Sequence, residues 1–176
     1  ILKRIGLNAL PDLIGLLGHK KTSTRMLAAL ALGDIGPKAE KSIPALAKVF
    51  YNDKNQNVRQ MASYALARLG RKAVAIFIQA LKGNGTVYSY STVIQAIEAL
   101  GEMGRGGMSS AVIPAVPDLI ELLSTTYFPT VEKALDKIAW KLGKKRSNKL
   151  KRSPALIRLL RNNSDLIRYY AAVFLG

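Results

Sequence analysis

The sequence Gly33-Asp34-Ile35-Gly36 closes a motif that recurs along the chain. Each copy ends in a small or aromatic residue, a charged residue, an apolar residue and glycine. The copies follow one another about every 35 residues, a period typical of helical repeats. The other complete copies end in Ala67-Arg68-Leu69-Gly70, Gly101-Glu102-Met103-Gly104 and Trp140-Lys141-Leu142-Gly143, and Gly176 matches the first position of a fifth.

Alanine and leucine recur at helical spacing before each of these endings. They predict one amphipathic helix per copy, whose small residues let a neighbouring helix approach closely. The closing glycine is expected to end that helix in the left-handed conformation. The two clearest columns contain Ala28, Ala62, Ala96, Leu135 and Ala171, and then Leu32, Leu66, Leu100, Ala139 and Leu175.

A shorter apolar segment precedes each of these helices, and a proline often falls in its first turn, where a missing N–H is tolerated. Each copy is therefore predicted to be a helical hairpin, and stacked hairpins would share one core. We predict an all-α fold, an α-solenoid of about five hairpins, as a single domain over residues 1–176. Because Ile1 is not methionine and Gly176 falls where other copies continue, we expect a fragment of a longer protein. The approximate copies are 9–36, 42–70, 74–104, 112–143 and 153–176.

The pairs Val58-Arg59 and Ile167-Arg168, and Arg25 in the equivalent position, are each followed by alanines and leucine-glycine. This pattern resembles the HEAT-repeat family, in particular the short variety first associated with phycobilin lyases. The resemblance implies a solenoid, and it leaves open a scaffold, a transport adaptor, a chromophore-handling protein or a nucleic-acid protein. We expect the arginines to tie one repeat to the next. Val93 and Glu132 replace them in the third and fourth copies.

Residues suited to catalysis are scarce. The chain has no cysteine and one histidine, His19, which we expect in an exposed turn. The acids are scattered, so no metal site and no acid–base couple is predicted. The glycines around Arg105 are expected to form a flexible linker, since no strand precedes them as a phosphate-binding loop requires. We therefore lean away from an enzyme and expect no cofactor. No apolar run is long enough to span a membrane, and a cytoplasmic location is expected.

One pair of residues keeps an enzymatic alternative open. Asp136 and Trp140 share one helix face, and HEAT-like DNA glycosylases use an aspartate and aromatic residues on a basic concave face. The competing interpretation is that Trp140 fills the core in place of a small residue and that Asp136 is solvated. We favour the second interpretation.

Positive charge is the strongest compositional feature of the chain. Lysine and arginine number 27 against 11 acids, which gives a formal net charge of +16. Basic residues follow the second helix of each complete copy, in numbers that complementing a helix dipole does not require. Stacked repeats would align these residues into a ridge. The predicted ridge contains Lys38, Lys41, Arg71, Lys72, Arg105, Lys144, Lys145, Arg146, Lys149, Lys151 and Arg152.

Such a ridge predicts a non-catalytic interaction or scaffold module. Its partner would be an acidic macromolecule, either an acidic protein or a nucleic acid. Two alternatives remain open: a phycobilin-lyase-like protein that handles chromophores or phycobiliproteins, and a nucleic-acid-binding protein or DNA glycosylase. The oligomeric state is left open.

Overall fold

Helical hairpins make up the part of this protein that the structure describes. The computed structural model describes residues 8–83, 89–142 and 153–176, and no β-strand occurs among them. The predicted fold class, an all-α solenoid of helical hairpins, is confirmed.

The chain divides into two compact units, with the boundary inside a helix between Ala99 and Leu100. The prediction of one domain over 1–176, and the limits of its copies, stay predictions. Unit 1 contains α1 (Leu10–Leu16), α2 (Thr22–Ile35), α3 (Ile43–Asn52), α4 (Gln56–Leu69), α5 (Val74–Lys82) and most of α6 (Tyr90–Met103). Unit 2 contains α7 (Ser109–Val112), α8 (Val116–Glu121), α9 (Phe128–Leu142), α10 (Pro154–Leu159) and α11 (Asp165–Leu175).

Two kinds of connection join the helices of unit 1. A turn joins the two helices of a hairpin, as residues 53–55 join α3 to α4; the Asn55 side chain caps α4 by accepting hydrogen bonds from the N–H groups of Asn57 and Val58. A corner joins one hairpin to the next. Corner 1 is the 3₁₀ segment Gly36–Ser42, and corner 2 is the 3₁₀ segment Arg71–Ala73 after Gly70. Turns and corners therefore lie at opposite ends of the helices.

Apolar side chains from successive hairpins form the core of each unit. In unit 1 the fully buried rings of Phe50 and Phe77 meet edge to face, with centroids 5.6 Å apart. In unit 2, Leu119, Ile120 and Leu135 are fully buried. Burying one such side chain contributes about 1.5–3 kcal/mol, so the contacts between hairpins are what stabilises the stack.

Small residues allow the second helices of neighbouring hairpins to approach closely. A Cβ atom on Gly33 would lie 3.0 Å from Cα of Ala65, and one on Gly101 would lie 2.9 Å from Cα of Ala134. Almost no side chain fits at such separations. The prediction that small residues let neighbouring helices approach closely is thus confirmed at Gly33 and Gly101.

The closing glycines behave differently from copy to copy. Gly36 and Gly70 have φ values of 70° and 94°, in the left-handed region, as predicted. The prediction is wrong for Gly104, where a π-helical turn, Gly104–Met108, follows α6 and Gly107 takes the positive φ of 95°. Gly104 instead allows close packing, because a Cβ there would lie 2.5 Å from Cγ1 of Ile138. The predicted linker is therefore a π-helical segment with a kink at Gly107, and its flexibility stays a prediction. Gly143 lies outside the described residues.

Candidate basic binding surfaces

The two corners of unit 1 present four of the predicted ridge residues, which we call the corner cluster: Lys38, Lys41, Arg71 and Lys72. The left-handed glycines reverse the chain at each corner, and Ala39, Ser42 and Ala73 point inward. All four basic side chains are consequently exposed.

An ion pair shows that the two corners are neighbours. The Nζ atom of Lys72 lies 2.6 Å from Oε2 of Glu40. A lysine of corner 2 therefore reaches a carboxylate of corner 1, and the basic residues of both corners share one end of the helices of unit 1.

Lys72 is the member of the corner cluster whose charge is compensated. Within the described part of the chain, no carboxylate oxygen lies within 4 Å of Lys38, Lys41 or Arg71. Asp34, at the end of α2 just before corner 1, is engaged by Arg68. Three exposed positive charges therefore remain uncompensated at this end of unit 1.

The remaining ridge residues belong to unit 2. Arg105 is exposed and binds Glu102, with Nη2 2.7 Å from Oε2, while Lys137 binds the other oxygen of Glu102 at 2.8 Å. The hydrogen bond from Lys137 holds the pKa of Glu102 below its usual value, and Arg105 adds to this effect despite the opposing effect of burial. Arg105 is thus a paired base. Lys144, Lys145, Arg146, Lys149, Lys151 and Arg152 lie outside the described residues.

A second basic surface, which the sequence did not predict, lies at the turn end of unit 1. A cavity of about 650 Å³ opens between hairpin 1, formed by α1 and α2, and hairpin 2, formed by α3 and α4, and we call it the turn groove. Its aliphatic lining comes from Ile14, Leu17, Ala45 and Val49, and its basic lining includes His19, Lys20, Lys48 and Lys54.

Asp53 is the carboxylate in the lining of the turn groove, and it is already engaged. Arg25 donates two hydrogen bonds to it, Nε to Oδ2 at 2.6 Å and Nη2 to Oδ1 at 3.0 Å. Burial raises the pKa of Asp53, but the hydrogen bonds from Arg25 and from the N–H of Asn55 outweigh it, and the pKa lies below its usual value. Asp53 therefore stays charged and balances Arg25 rather than the three lysines.

His19 lies in the exposed turn of hairpin 1, as predicted. Its Nδ1 accepts a hydrogen bond from the backbone N–H of Lys21 at 3.1 Å. Among the described residues, no group of three or more histidine or acidic side chains could hold a metal ion.

The recurring arginines share one geometry. Arg25, Arg59 and Arg168 each donate Nη1 to the carbonyl oxygen six residues earlier, in the turn of their own hairpin, at 2.9, 2.8 and 2.7 Å. In unit 1 each also reaches the next hairpin: Arg25 binds Asp53, and Arg59 donates to Oγ of Ser91 at 2.6 Å. The predicted tie between repeats is confirmed for these two. Arg168 instead binds Asp165 of its own hairpin.

The candidate glycosylase pair is at the surface of unit 2. Trp140 is 72% exposed, so the expectation that it fills the core is wrong. Gly33 and Gly101 occupy the same column, where even a Cβ would lie about 3 Å from a neighbouring helix, and an indole cannot fit such a space. Asp136 is exposed, as expected, and accepts a hydrogen bond from the Tyr170 hydroxyl at 3.2 Å. Burial, and then the charge of Asp136, raise the pKa of Tyr170.

Comparison with known proteins agrees with this architecture. Residues 1–67 match the family model of HEAT repeats, which confirms the resemblance inferred from the arginine and alanine columns for this part of the chain. No curated protein matches the sequence significantly. In the described residues no helix is long and apolar enough to cross a membrane, and the cytoplasmic location stays a prediction.

Several solved structures share the fold. A designed armadillo repeat protein, YIII(Dq.V1)4CPAF in complex with the peptide (KR)4, is 17% identical with a TM-score of 0.55, covering 96% of this chain and 81% of that one. The complex of CpcE and CpcF of phycocyanin lyase from Nostoc sp. PCC7120 is 22% identical with a TM-score of 0.53, covering 91% of this chain and 61% of that one. At these identities the similarity shows the fold alone.

Proposed function

We propose that this protein is a non-catalytic interaction module that binds an acidic macromolecule through the corner cluster of unit 1. The observation that carries the proposal is that Lys38, Lys41 and Arg71 stand exposed on adjacent corners with no carboxylate within 4 Å in the described part of the chain. Uncompensated charges at neighbouring positions raise the local concentration of a polyanion and accelerate its association.

The net positive charge of the chain also indicates that the partner is negatively charged. A designed armadillo protein of the same fold binds the basic peptide (KR)4. A chain with a net charge of +16 would repel such a peptide. The stacked hairpins would therefore serve here as a scaffold for binding an acidic protein or a nucleic acid.

The enzymatic alternatives have weaker support. For a phycobilin-lyase-like activity, the support is a shared fold at 22% identity. For a glycosylase, it is the pair Asp136 and Trp140, whose carboxylate is occupied by the Tyr170 hydroxyl. Both stay predictions that an assay with a phycobiliprotein or with alkylated DNA would test.

Charge reversal of the corner cluster tests the main proposal. The variant Lys38→Glu/Lys41→Glu/Arg71→Glu should weaken binding of fluorescent poly-glutamate or of a single-stranded oligonucleotide by at least about tenfold in moderate salt. The control Lys21→Glu/Lys82→Glu/Lys133→Glu makes the same change in net charge at exposed lysines elsewhere. Equal weakening by both variants would refute a localised site and leave only the effect of net charge.

Salt dependence then separates the two kinds of partner. A nucleic acid releases condensed counterions when it binds, so its affinity should fall linearly on a log–log plot against salt with a slope close to the number of phosphates contacted. Poly-glutamate should show a shallower dependence. If neither polyanion binds at any salt concentration, the proposed function is wrong.

A further inference from the structure

We propose that the turn groove is a second binding site, and that its ligand is an acidic peptide segment of a protein partner in which aliphatic side chains alternate with carboxylates. The site lies at the opposite end of the helices from the corner cluster. The inference therefore extends the proposed function and does not depend on the corner cluster.

The size and lining of the turn groove identify a ligand with an apolar part. Its volume of about 650 Å³ is in the range of pockets that bury most of a ligand's surface. Ile14 and Ala45 are half-buried, and Leu17 and Val49 are buried. Removing this aliphatic surface from water would favour binding of aliphatic side chains.

Three exposed lysines of the turn groove, which we call its rim, identify carboxylates as the polar part of the ligand. Lys20, Lys48 and Lys54 are exposed, and no carboxylate lies within 4 Å of them among the described residues. Arg25 cannot contribute to ligand binding, because its Nε, Nη1 and Nη2 atoms already donate to Asp53 and to the carbonyl groups of His19 and Lys20. The ligand would therefore meet three ammonium groups.

The spread of these charges favours a chain over a compact anion. Lys48 lies one helical turn before Asn52, the last residue of α3, which places it about 6 Å back along the helix axis, and Lys54 lies beyond that end. Lys20 comes from the other hairpin. Several carboxylates along a peptide match lysines placed in this way better than one compact anion does.

The same lining argues against a nucleic acid. Sites for single strands combine basic residues with aromatic rings on which bases stack. The apolar lining of the turn groove is aliphatic, and its one ring is His19. Aliphatic side chains therefore match the turn groove better than bases do.

Two labelled peptides test the inference by fluorescence anisotropy. The peptide EELELEE should bind the full chain about tenfold or more tightly than EEGEGEE, because its leucines enter the turn groove. The variant Ile14→Ser should bring the affinity for EELELEE close to that for EEGEGEE. If EEGEGEE and EELELEE bind equally well, the proposal that the turn groove binds aliphatic side chains is wrong.

Charge variants test the rim. Lys48→Glu and Lys54→Glu should each weaken the binding of EELELEE about tenfold. Lys82 is an exposed lysine of α5 outside the groove, and Lys82→Glu should change the affinity less than about threefold. Circular dichroism establishes that each variant is folded. Equal effects of Lys48→Glu and Lys82→Glu would overturn the proposal.

Two further outcomes are decisive. The corner variant Lys38→Glu/Lys41→Glu/Arg71→Glu should retain binding of EELELEE within about threefold at physiological salt, where screening limits distant charges. Failure of the corner proposal and failure of the groove proposal are thus distinguishable. If an oligothymidine displaces EELELEE and its own binding depends on Lys48, the site belongs to a nucleic acid and the peptide assignment is wrong.

Discussion

The carboxylate of Asp53 binds the guanidinium of Arg25 through both of its oxygens, at 2.6 and 3.0 Å, and joins the turn of hairpin 2 to the second helix of hairpin 1. Both side chains are only 8% exposed. Such an ion pair is costly to break from one side, because the remaining charge is left without its partner where the side chain has lost most of its contact with water.

Asp53→Asn is therefore expected to lower the free energy of unfolding by about 3 kcal/mol, measured by urea denaturation followed by circular dichroism. The control is Asp34→Asn, which removes the exposed partner of Arg68 at 3.7 Å and should cost less than about 1 kcal/mol. Similar losses in the two variants would show that the pair does not stabilise unit 1 in the way we describe.

The same pair predicts how stability depends on pH. Because the pKa of Asp53 is lowered in the folded state, the unfolded chain takes up its proton at a higher pH than the folded chain does. The stabilisation should be complete above the unfolded pKa of about 3.9 and should be lost as the pH falls through the lower folded pKa. Denaturation midpoints measured between neutral pH and about pH 2 should therefore decline more steeply in the wild type than in Asp53→Asn. Parallel curves would contradict this.

Close packing of the second helices predicts opposite effects for two glycine substitutions. Gly101→Ala should destabilise unit 2 by about 1–3 kcal/mol, because the new Cβ would lie 2.9 Å from the backbone of Ala134. Gly15→Ala, in α1, meets nothing within 4 Å and should stabilise unit 1 by about 0.5–1 kcal/mol. Thermal melts would measure both changes. Stabilisation by Gly101→Ala would mean that the helices are not held so closely.

The exposure of Trp140 predicts the fluorescence of this protein. As the single tryptophan of the chain, and 72% exposed, it should emit close to the wavelength of free tryptophan in water. Iodide should quench it efficiently, because Lys137 and Lys141 lie on the same helix. A blue-shifted emission that iodide does not quench would place the indole in an apolar environment.

Truncation offers a second check on Trp140. Trp140→Ala should cost far less free energy of unfolding than a core truncation does, as expected for a side chain that is 72% exposed. Leu135→Ala, at a fully buried position of the same helix, should cost about 2–5 kcal/mol. A large loss on truncating Trp140 would restore its predicted role in the core.

The architecture could be predicted from the sequence because close helix packing leaves a direct trace in residue type. Gly33 and Gly101 are small since the neighbouring backbone leaves no room, and they hold equivalent positions in two copies of the motif. The same inference failed at Trp140, because a column predicts burial only while its residues stay small. The prediction of a left-handed glycine failed at Gly104 as well. There Gly104 allows close packing, whereas Gly107 takes the positive φ.

The turn groove could not be predicted from spacing along the chain. Lys48 lies on a helix and Lys54 in a turn, and the packing of hairpin 1 on hairpin 2 is what brings the residues of the lining together. A weak signal was nevertheless present, since Lys20 and Lys54 hold equivalent positions before Arg25 and Arg59.

Hydrogen bonds link Arg25 through Asp53 and Arg59 to Ser91. This link opposes the separation of hairpin 1 from hairpin 2. If α1 and α2 separated from hairpin 2 at neutral pH, the Asp53 carboxylate would lose its counter-ion while still held by the N–H of Asn55. Detachment of hairpin 1 would then lose the ion pair as well as expose apolar surface to water. Amide protons of α2 should accordingly exchange with solvent almost as slowly as those of α4, and this protection should weaken only as the pH falls below the unfolded pKa of Asp53, about 3.9.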